Sequence, residues 1–223
     1  MIDTVVFDLD DTICEYRQSG REILAGAFDE VGVEPFFSVD DYLGIFEAHA
    51  SRGDPVATIR ERCFQTLASE EGFEASLGRE LADIYRANRD HRDVRFRPGA
   101  ATALERLRAT HRLGLVTNGG PEMQRQKLDA LEITDTFDTL VFAGYESAPK
   151  PAAEPFHRAL DALDADPAGA VHVGNSLAAD VAGAHAAGLT SVWIPNGHDD
   201  MVEGPDPHFS LDSLHDLHDP PWQ

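Results

Sequence analysis

The sequence predicts an α/β protein in which helices cover both faces of a parallel sheet, with an all-helical domain inserted into it. From residue 97 onward, short apolar segments alternate with segments of helical spacing, which is typical of strands joined by right-handed crossovers. Residues 18–92 have apolar residues at helical spacing, and no segment there predicts a strand. We therefore expect an α/β core of residues 1–13 and 97–223 and a helical domain of residues 14–96.

The first predicted strand is a buried segment that ends in Asp8 and Asp10. Its apolar run, VVF at residues 5–7, leads into these two acids, which one leucine separates. Because side chains alternate along a strand, the two carboxylates should point the same way. Such a pair can bind a divalent cation or divide the roles of nucleophile and general acid. A solvated acidic turn after the strand is the alternative interpretation.

The inserted segment carries clear signals for helices. Asp54 followed by Pro55 predicts a helix start, because aspartate is a favoured N-cap and proline suits the first helical position. Apolar residues then recur at helical spacing over residues 56–67 and again over residues 77–85. The insertion is therefore predicted to be all helical.

Strands and helices alternate in the core after residue 97. The predicted strands cover residues 113–118, 137–143, 170–174 and 189–195. The predicted helices cover residues 100–110, 121–131, 152–163 and 177–187. The first strand must join this sheet, because its apolar run is typical of a fully buried strand. The segment from Asn196 onward is rich in Asp, His, Pro and Gly, so we expect it to be loop.

Acidic residues dominate the composition. The sequence has 40 acidic and 18 basic residues, a formal net charge of −22, and its only lysines are Lys127 and Lys150. A diffuse acidic surface of this kind indicates adaptation to high salt, a halophilic trait. At about 1 M salt the Debye length is only 3 Å, so self-repulsion is screened. The chain has no basic stripe, and we expect no nucleic-acid partner.

Cysteine usage and hydropathy bear on where the protein works. Cys14 and Cys63 form no metal-binding or disulfide pattern. The N-terminus has no recognisable signal peptide, and no apolar run approaches the roughly 20 residues that a membrane span needs. We therefore expect a cytoplasmic protein without a membrane partner, either a monomer or a homodimer.

Chemically capable side chains follow four of the predicted strands at the points where the strands end. Ligands of open α/β sheets bind at the carboxyl ends of the strands, so these side chains should meet. They are, strand by strand along the chain, Asp8 with Asp10, Thr117 with Asn118, Lys150, and Asn175 with Asp180. Together they offer a nucleophile, an anion cradle, a cation and metal ligands, which are the requirements of phosphoryl transfer.

Taken in order, these motifs resemble those of the haloacid dehalogenase superfamily of hydrolases over residues 5–180. FDLDDT at residues 7–12 is the most specific of them. The resemblance implies a three-layer Rossmann-like core with a parallel sheet, and it implies that residues 14–96 form a helical cap domain of the family's first type. It also implies a Mg²⁺-dependent phosphatase that hydrolyses a small phosphorylated metabolite through an aspartyl-phosphate.

The same resemblance implies a role for each motif residue. Asp8 would attack phosphorus, and Asp10 would protonate the leaving oxygen and then activate the hydrolytic water. Thr117 and the backbone amide of Asn118 would hold the phosphoryl oxygens. Lys150, both catalytic and phosphate-binding, would neutralise Asp8 and the transferring group. The implied Mg²⁺ ligands are Asp8, the backbone carbonyl of Asp10, Asn175 and Asp180.

Asn175 departs from the family pattern, because phosphatases of this family usually have an aspartate at its position. An asparagine offers a carbonyl oxygen but no charge, so we expect Mg²⁺ binding to be weaker but not lost. Lys150 has independent support, because a chain with sixteen arginines and two lysines has a lysine here. A compact ammonium fits between a carboxylate and a phosphoryl group better than a broad guanidinium does.

Three alternatives stay open. A metal-free 2-haloacid dehalogenase of the same superfamily would also use Asp8, but such enzymes lack an acid two residues later, so Asp10 favours a phosphatase. A phosphomutase differs mainly in returning the phosphoryl group instead of giving it to water. A catalytically silent binding protein on the same scaffold has only Asn175 in its support.

Overall fold

The chain folds into two compact units. The computed structural model describes residues 2–50, 54–197 and 204–222. One unit combines Met1–Glu15 with Val94–Gln223, and the other is Tyr16–Asp93. None of the helices in the described ranges is long and apolar enough to cross a bilayer.

A six-stranded parallel sheet forms the centre of the first unit. The described strands are β1 (Thr4–Phe7), β2 (Cys14–Tyr16), β3 (Val94–Phe96), β4 (Arg112–Thr117), β5 (Thr139–Phe142), β6 (Ala170–Gly174), β7 (Thr190–Trp193) and β8 (Phe209–Ser210). All but β2 and β3 join one sheet in the order β5-β4-β1-β6-β7-β8, and every neighbouring pair is parallel. The chain leaves and re-enters this unit through β2 and β3, which pair with each other. The parallel sheet confirms the predicted α/β fold class.

Each unit contains four of the helices in the described residues. The described α-helices are α1 (Gly20–Val31), α2 (Val39–His49), α3 (Val56–Glu70), α4 (Ala75–Asn88), α5 (Ala100–Arg108), α6 (Pro121–Ala130), α7 (Glu154–Leu163) and α8 (Ala182–Ala187). A π-helical segment, Leu177–Val181, leads directly into α8.

The sheet is buried on both faces, which gives the core three layers. Phe7 of β1 packs into an apolar cluster with Leu104 of α5 and with residues of α6, whereas Val6 packs into a second cluster with Phe156 of α7 and with residues of α8. Adjacent residues of one strand enter opposite clusters because side chains alternate across a sheet. This arrangement explains why β1 is buried at every position.

The tail of the chain is more ordered than the sequence suggests. The loop prediction from Asn196 onward is wrong for β8, which pairs with β7, and for a 3₁₀ turn at Leu214–His218. Leu214 and Leu217 of this turn are buried in the same cluster as Phe7. A two-residue strand has no readable periodicity, so its pairing depends on tertiary contacts that the local sequence does not encode.

Aromatic residues form the core of the helical unit. Phe64 of α3 contacts three rings edge-on, with centroid distances of 4.8 Å to Phe37, 5.3 Å to Tyr42 and 5.9 Å to Tyr85. These rings come from α2, α3, α4 and the segment before α2, so one cluster holds the helices together. All the helices and strands described within residues 18–92 are α-helices, as predicted, whereas β2 and β3 lie at the two ends of the predicted segment 14–96.

The start of α3 differs in detail from the prediction. The helix begins at Val56, but its N-cap is Pro55 and no side chain caps it. Asp54, expected to be the capping residue, instead accepts a hydrogen bond from Arg62 at 2.5 Å. A charged partner on the same helix binds this carboxylate in place of the backbone amides.

Candidate active site

A tight turn after β1 presents the two acids of the first motif. The amide of Asp8 donates to Val173 O at 3.0 Å, so Asp8 continues the pairing of β1 with β6. The carbonyl of Leu9 then accepts hydrogen bonds from the amides of residues 12–14. Asp11 has a left-handed backbone with φ of 57°, a conformation that aspartate tolerates better than most residues. The turn therefore brings Thr12 back beside Asp8.

Lys150 lies buried between two aspartates. Its Nζ is 2.6 Å from Asp8 Oδ1, 2.6 Å from Asp180 Oδ1 and 2.9 Å from the carbonyl of Val116. An ammonium group has three hydrogens, one for each of these acceptors. Asn118 holds the lysine backbone from both sides: Lys150 N donates to Asn118 Oδ1 at 2.8 Å, and Asn118 Nδ2 donates to Lys150 O at 3.1 Å. The segment that carries the cation is thereby fixed to the end of β4.

Burial and charge act on these groups in opposite directions. Burial raises the pKa of Asp8 to about 7; the charge of Lys150 opposes this rise, and that of Asp180 adds to it. Burial also works to raise the pKa of Asp180, but Lys150 and His172 outweigh it and lower that pKa. Burial works to lower the pKa of Lys150, but Asp180 and Asp8 outweigh it and raise that pKa. Of the two carboxyls beside Lys150, Asp180 therefore has the lower pKa and Asp8 the higher.

Asp180 is held by donors on both oxygens. Its Oδ1 accepts from Lys150 and lies 3.0 Å from His172 Nε2, and its Oδ2 accepts from the amide of Ser176 at 3.0 Å. Burial lowers the pKa of His172, which favours a neutral imidazole that donates through Nε2. Gly174 makes room for this carboxylate, since a Cβ there would lie 2.3 Å from Asp180 Cγ.

Asp10, the second acid of the pair, is bound by two side chains of α6. Lys127 Nζ donates to Asp10 Oδ1, and Gln124 Nε2 donates to Asp10 Oδ2 at 2.7 Å. Lys127 is 1% exposed, whereas the side chain of Asp10 is 40% exposed. Burial works to raise the pKa of Asp10, but Lys127 and Gln124 outweigh it and hold that pKa below its usual value.

Thr117, at the end of β4, is a buried hydroxyl in the same network. Its Oγ1 accepts from Gln124 Nε2 at 2.7 Å and from the amide of Gly119 at 3.3 Å. The close packing of Gln124 requires the glycine, because a Cβ at Gly119 would lie 2.1 Å from Gln124 Nε2. The TNG sequence therefore places a hydroxyl next to a buried amide.

The oxygens at Thr12 suit a hard divalent cation. Thr12 Oγ1 lies 3.2 Å from Asp8 Oδ2 and 3.1 Å from Asn175 Oδ1, and its single hydrogen can serve only one of them at a time. Carboxylate and amide oxygens are ligands that Mg²⁺ accepts. Among the described groups, Asp180 Oδ2 accepts from the amide of Ser176 alone, so one lone pair of that oxygen could still bind a cation. Within the described residues, no group of three or more His, Cys, Asp or Glu side chains forms a metal cluster.

The structure places all the residues predicted for the site near the carboxyl ends of β1, β4 and β6, in two hydrogen-bonded groups. One group holds Asp10 and Thr117, and the other holds Asp8, Asn118, Lys150, Asn175 and Asp180. Sequence reasoning missed four side chains in these groups: Thr12, Gln124, Lys127 and His172. One signal for Lys127 was present, since the scarcity of lysine that marks Lys150 applies equally to it. The other three have no comparable mark in the sequence.

Known proteins resemble this chain in sequence and in fold. The chain is 39% identical over 101 residues to glyceraldehyde 3-phosphate phosphatase from Pyrococcus abyssi. The aligned residues make up 45% of the chain and 42% of the relative. It is 29% identical over 225 residues to phosphoserine phosphatase from Thermus thermophilus. This alignment covers 86% of the chain and 88% of that relative. The chain spans less than half the length of the first curated relatives that it matches.

The fold has a clear counterpart among solved structures. The crystal structure of the HAD-hydrolase YfnB from Bacillus subtilis, bound to magnesium, superimposes with a TM-score of 0.76 at 22% identity and covers 97% of each chain. A sequence model of haloacid dehalogenase-like hydrolases matches residues 2–188, so most of the chain is included. The chain belongs to the family of haloacid dehalogenase-like hydrolases.

Proposed function

We propose that the protein is a Mg²⁺-dependent phosphatase that hydrolyses a small phosphorylated metabolite through an aspartyl-phosphate on Asp8. The observation that carries the proposal is the 2.6 Å contact between Lys150 Nζ and Asp8 Oδ1, with a second carboxyl, Asp10, two residues further along. Relatives named as phosphatases of two different small phosphate esters support the same reaction class.

In the first half of the reaction, a carboxylate oxygen of Asp8 attacks phosphorus in line with the leaving oxygen. The bond from phosphorus to the leaving oxygen breaks as the bond to Asp8 forms, and Asp10 gives its proton to the departing alkoxide. Lys150 offsets the negative charge shared by Asp8 and the transferring group. Thr117 donates its hydroxyl hydrogen to a phosphoryl oxygen.

In the second half, water hydrolyses the aspartyl-phosphate. Asp10, now ionised, takes a proton from the water as the water oxygen bonds to phosphorus. The bond from phosphorus to Asp8 breaks, inorganic phosphate leaves, and both aspartates return to their starting states. Lys127 favours the ionised form of Asp10, because the attraction of its charge for the carboxylate outweighs the effect of burial on that pKa.

Mg²⁺, when bound, would polarise the phosphoryl group and offset its charge. The donor set at Thr12 supports such a site, because Asp8 and Asn175 both offer oxygens there. The backbone carbonyl of Asp10 is the third proposed ligand. Asp180 can join the set through Oδ2, which accepts a hydrogen bond from Ser176, while Oδ1 stays bound to Lys150 and His172.

A hydrolysis screen tests the function. Wild-type protein and Asp8→Asn are incubated with p-nitrophenyl phosphate and a panel of sugar, amino-acid and nucleotide phosphates, in molar KCl, with Mg²⁺ or with EDTA. We expect phosphate release by the wild type only with Mg²⁺, and none by Asp8→Asn. Mass spectrometry of acid-quenched protein should find one phosphoryl group on the peptide that contains Asp8.

The same screen separates the alternatives. Chloride release from 2-chloropropionate without Mg²⁺ would identify a dehalogenase instead. Transfer of the phosphoryl group to a second substrate, faster than to water, would identify a phosphomutase. Failure of every substrate in the panel, with retained binding of one of them, would identify a binding protein.

A further inference from the structure

Gln124 joins two functional groups through one nitrogen atom. The side chain is fully buried, and its Nε2 lies 2.7 Å from Asp10 Oδ2 and 2.7 Å from Thr117 Oγ1. A primary amide nitrogen carries two hydrogens, so each acceptor receives one. The carboxylate fixes this orientation, because a flipped amide would turn Oε1 towards the negative charge of Asp10.

The contact with Gln124 determines what the hydroxyl of Thr117 can do. A hydroxyl oxygen has two lone pairs and one hydrogen. Gln124 and the amide of Gly119 both donate to this oxygen, so both lone pairs are engaged. The hydroxyl hydrogen is then left to donate, which is what a phosphoryl oxygen needs from its binding site.

The contacts with Gln124 and Lys127 also determine where the carboxyl of Asp10 points. One donor holds each carboxylate oxygen, and the two donors lie three residues apart on the same face of α6. Each oxygen has two lone pairs, and the contacts with α6 use one on each, so each oxygen keeps a lone pair that can accept a proton during the reaction. A carboxyl that is 40% exposed is therefore kept in one orientation by two buried groups.

We propose that Gln124, assisted by Lys127, is a positioning residue of the reaction: it aligns the carboxyl of Asp10 for proton transfer and makes Thr117 a hydrogen-bond donor to the phosphoryl group. This inference rests on the proposed phosphatase function. Proton transfer depends steeply on alignment, so loss of the positioning contact should lower kcat most where the leaving group needs a proton.

The leaving group therefore provides the test. p-Nitrophenolate departs without protonation, whereas the alkoxide of glycerol 3-phosphate requires it. At saturating Mg²⁺, we expect Gln124→Met to lower kcat for glycerol 3-phosphate by about 10- to 100-fold, and to lower the ratio of kcat values, alkyl over aryl, by about tenfold. Gln124→Glu keeps the size of the side chain and places a carboxylate against Asp10, so it should lower the ratio in the same way.

Gln126→Met, two residues away on the same helix, is the matched control and should leave the ratio at its wild-type value. If kcat falls equally for the alkyl and the aryl ester in both variants, the ratio of kcat values is unchanged and the positioning role is overturned. A ratio that is unchanged in Gln124→Glu alone would also overturn it. The phosphatase function would stand in either case. If the wild type hydrolyses neither ester, nor any in the wider panel, the function fails, and the positioning role fails with it.

Discussion

Lys127 and Lys150, the only two lysines of the sequence, are both buried, and each binds one acid of the first motif. Lys127 holds Asp10, and Lys150 holds Asp8. The rest of the chain uses arginine for its positive charge. A guanidinium is broad and planar, whereas an ammonium is a compact point charge, and three oxygen atoms lie within 2.9 Å of Lys150 Nζ. The compact ammonium of a lysine therefore suits position 150 better than a guanidinium would.

Replacement of Lys150 by arginine should abolish most activity although the charge is kept. A guanidinium cannot satisfy Asp8, Asp180 and the carbonyl of Val116 from the position of Nζ, so it must displace Asp8. We expect a fall in kcat of about 10²-fold or more for Lys150→Arg. Lys150→Met leaves two buried carboxylates without their cation and should also lower the free energy of unfolding by about 3 kcal/mol.

Steady-state kinetics and urea unfolding measure these effects. Arg125→Lys, an exposed position on α6, provides the control for an exchange of arginine and lysine that does not touch the site. Wild-type kcat in Lys150→Arg would show that the compact ammonium is unnecessary.

Asp8→Asn should stabilise the protein at neutral pH when no divalent cation is present. Burial raises the pKa of Asp8 to about 7 from an ordinary value of 3.8. Between these values the unfolded chain gives up its proton before the folded protein does, so a rise in pH through this window lowers stability. An asparagine lacks this penalty. We expect its advantage in the free energy of unfolding to grow by about 2 kcal/mol between pH 5 and pH 8.

Urea unfolding in EDTA at pH 5, 6, 7 and 8 would measure the difference between the two proteins. A stabilising substitution at the proposed nucleophile would fit the general observation that functional sites are built at some cost in stability. A difference that does not change with pH would show that the charge of Asp8 is already stabilised by its neighbours.

Asn175→Asp should strengthen Mg²⁺ binding. The substitution adds a negative charge next to Asp8 at the oxygens that face Thr12, where the proposed cation binds. Carboxylates bind Mg²⁺ more strongly than amides do, and we expect a gain in affinity of about tenfold. Isothermal titration with Mg²⁺ measures this without reference to activity. As a control, Asn88→Asp adds the same charge at an exposed position of α4 and should leave the affinity unchanged. Equal Mg²⁺ affinities in the wild type, Asn175→Asp and Asn88→Asp would exclude Asn175 as a ligand.

The parts of the site that sequence could predict are those at strand ends. Asp8, Thr117 and Lys150 each follow an apolar run that predicts a strand, and parallel topology brings such ends together. Gln124 and Lys127 lie within a helix, where a polar residue predicts an exposed position. Only the packing of α6 against the end of β1 shows that both are buried. The sequence thus predicts the groups proposed to touch the substrate better than those proposed to orient them.

Gly119→Ala should reproduce the effect of losing the Gln124 contact. The new Cβ would lie 2.1 Å from Gln124 Nε2 and 2.4 Å from its Cδ, so the amide must move away from Asp10 and Thr117. We expect kcat for an alkyl phosphate to fall by about tenfold or more, with a smaller fall for p-nitrophenyl phosphate.

Gly26→Ala, in the middle of α1 with open space at its Cβ, is the control for the same substitution elsewhere. It should raise the free energy of unfolding by about 1 kcal/mol. Wild-type kinetics in Gly119→Ala would mean that the amide tolerates displacement.

Stability should rise with salt concentration, because self-repulsion among 40 acidic and 18 basic residues outweighs the attraction within surface ion pairs. Exposed pairs such as Arg21 with Asp40 and Arg86 with Asp83 contribute at most about 1 kcal/mol each, and salt weakens them. Screening of a net charge of −22 acts across the whole surface and in the opposite direction.

We expect Tm to increase by about 5 °C or more as KCl is raised from 0.1 to 1 M, where the Debye length falls from about 10 to 3 Å. Most of the increase should come below 1 M if screening is the cause, whereas a linear rise to higher concentrations would indicate exclusion of salt from the surface. A Tm that falls over the first molar of KCl would show that the ion pairs outweigh the repulsion.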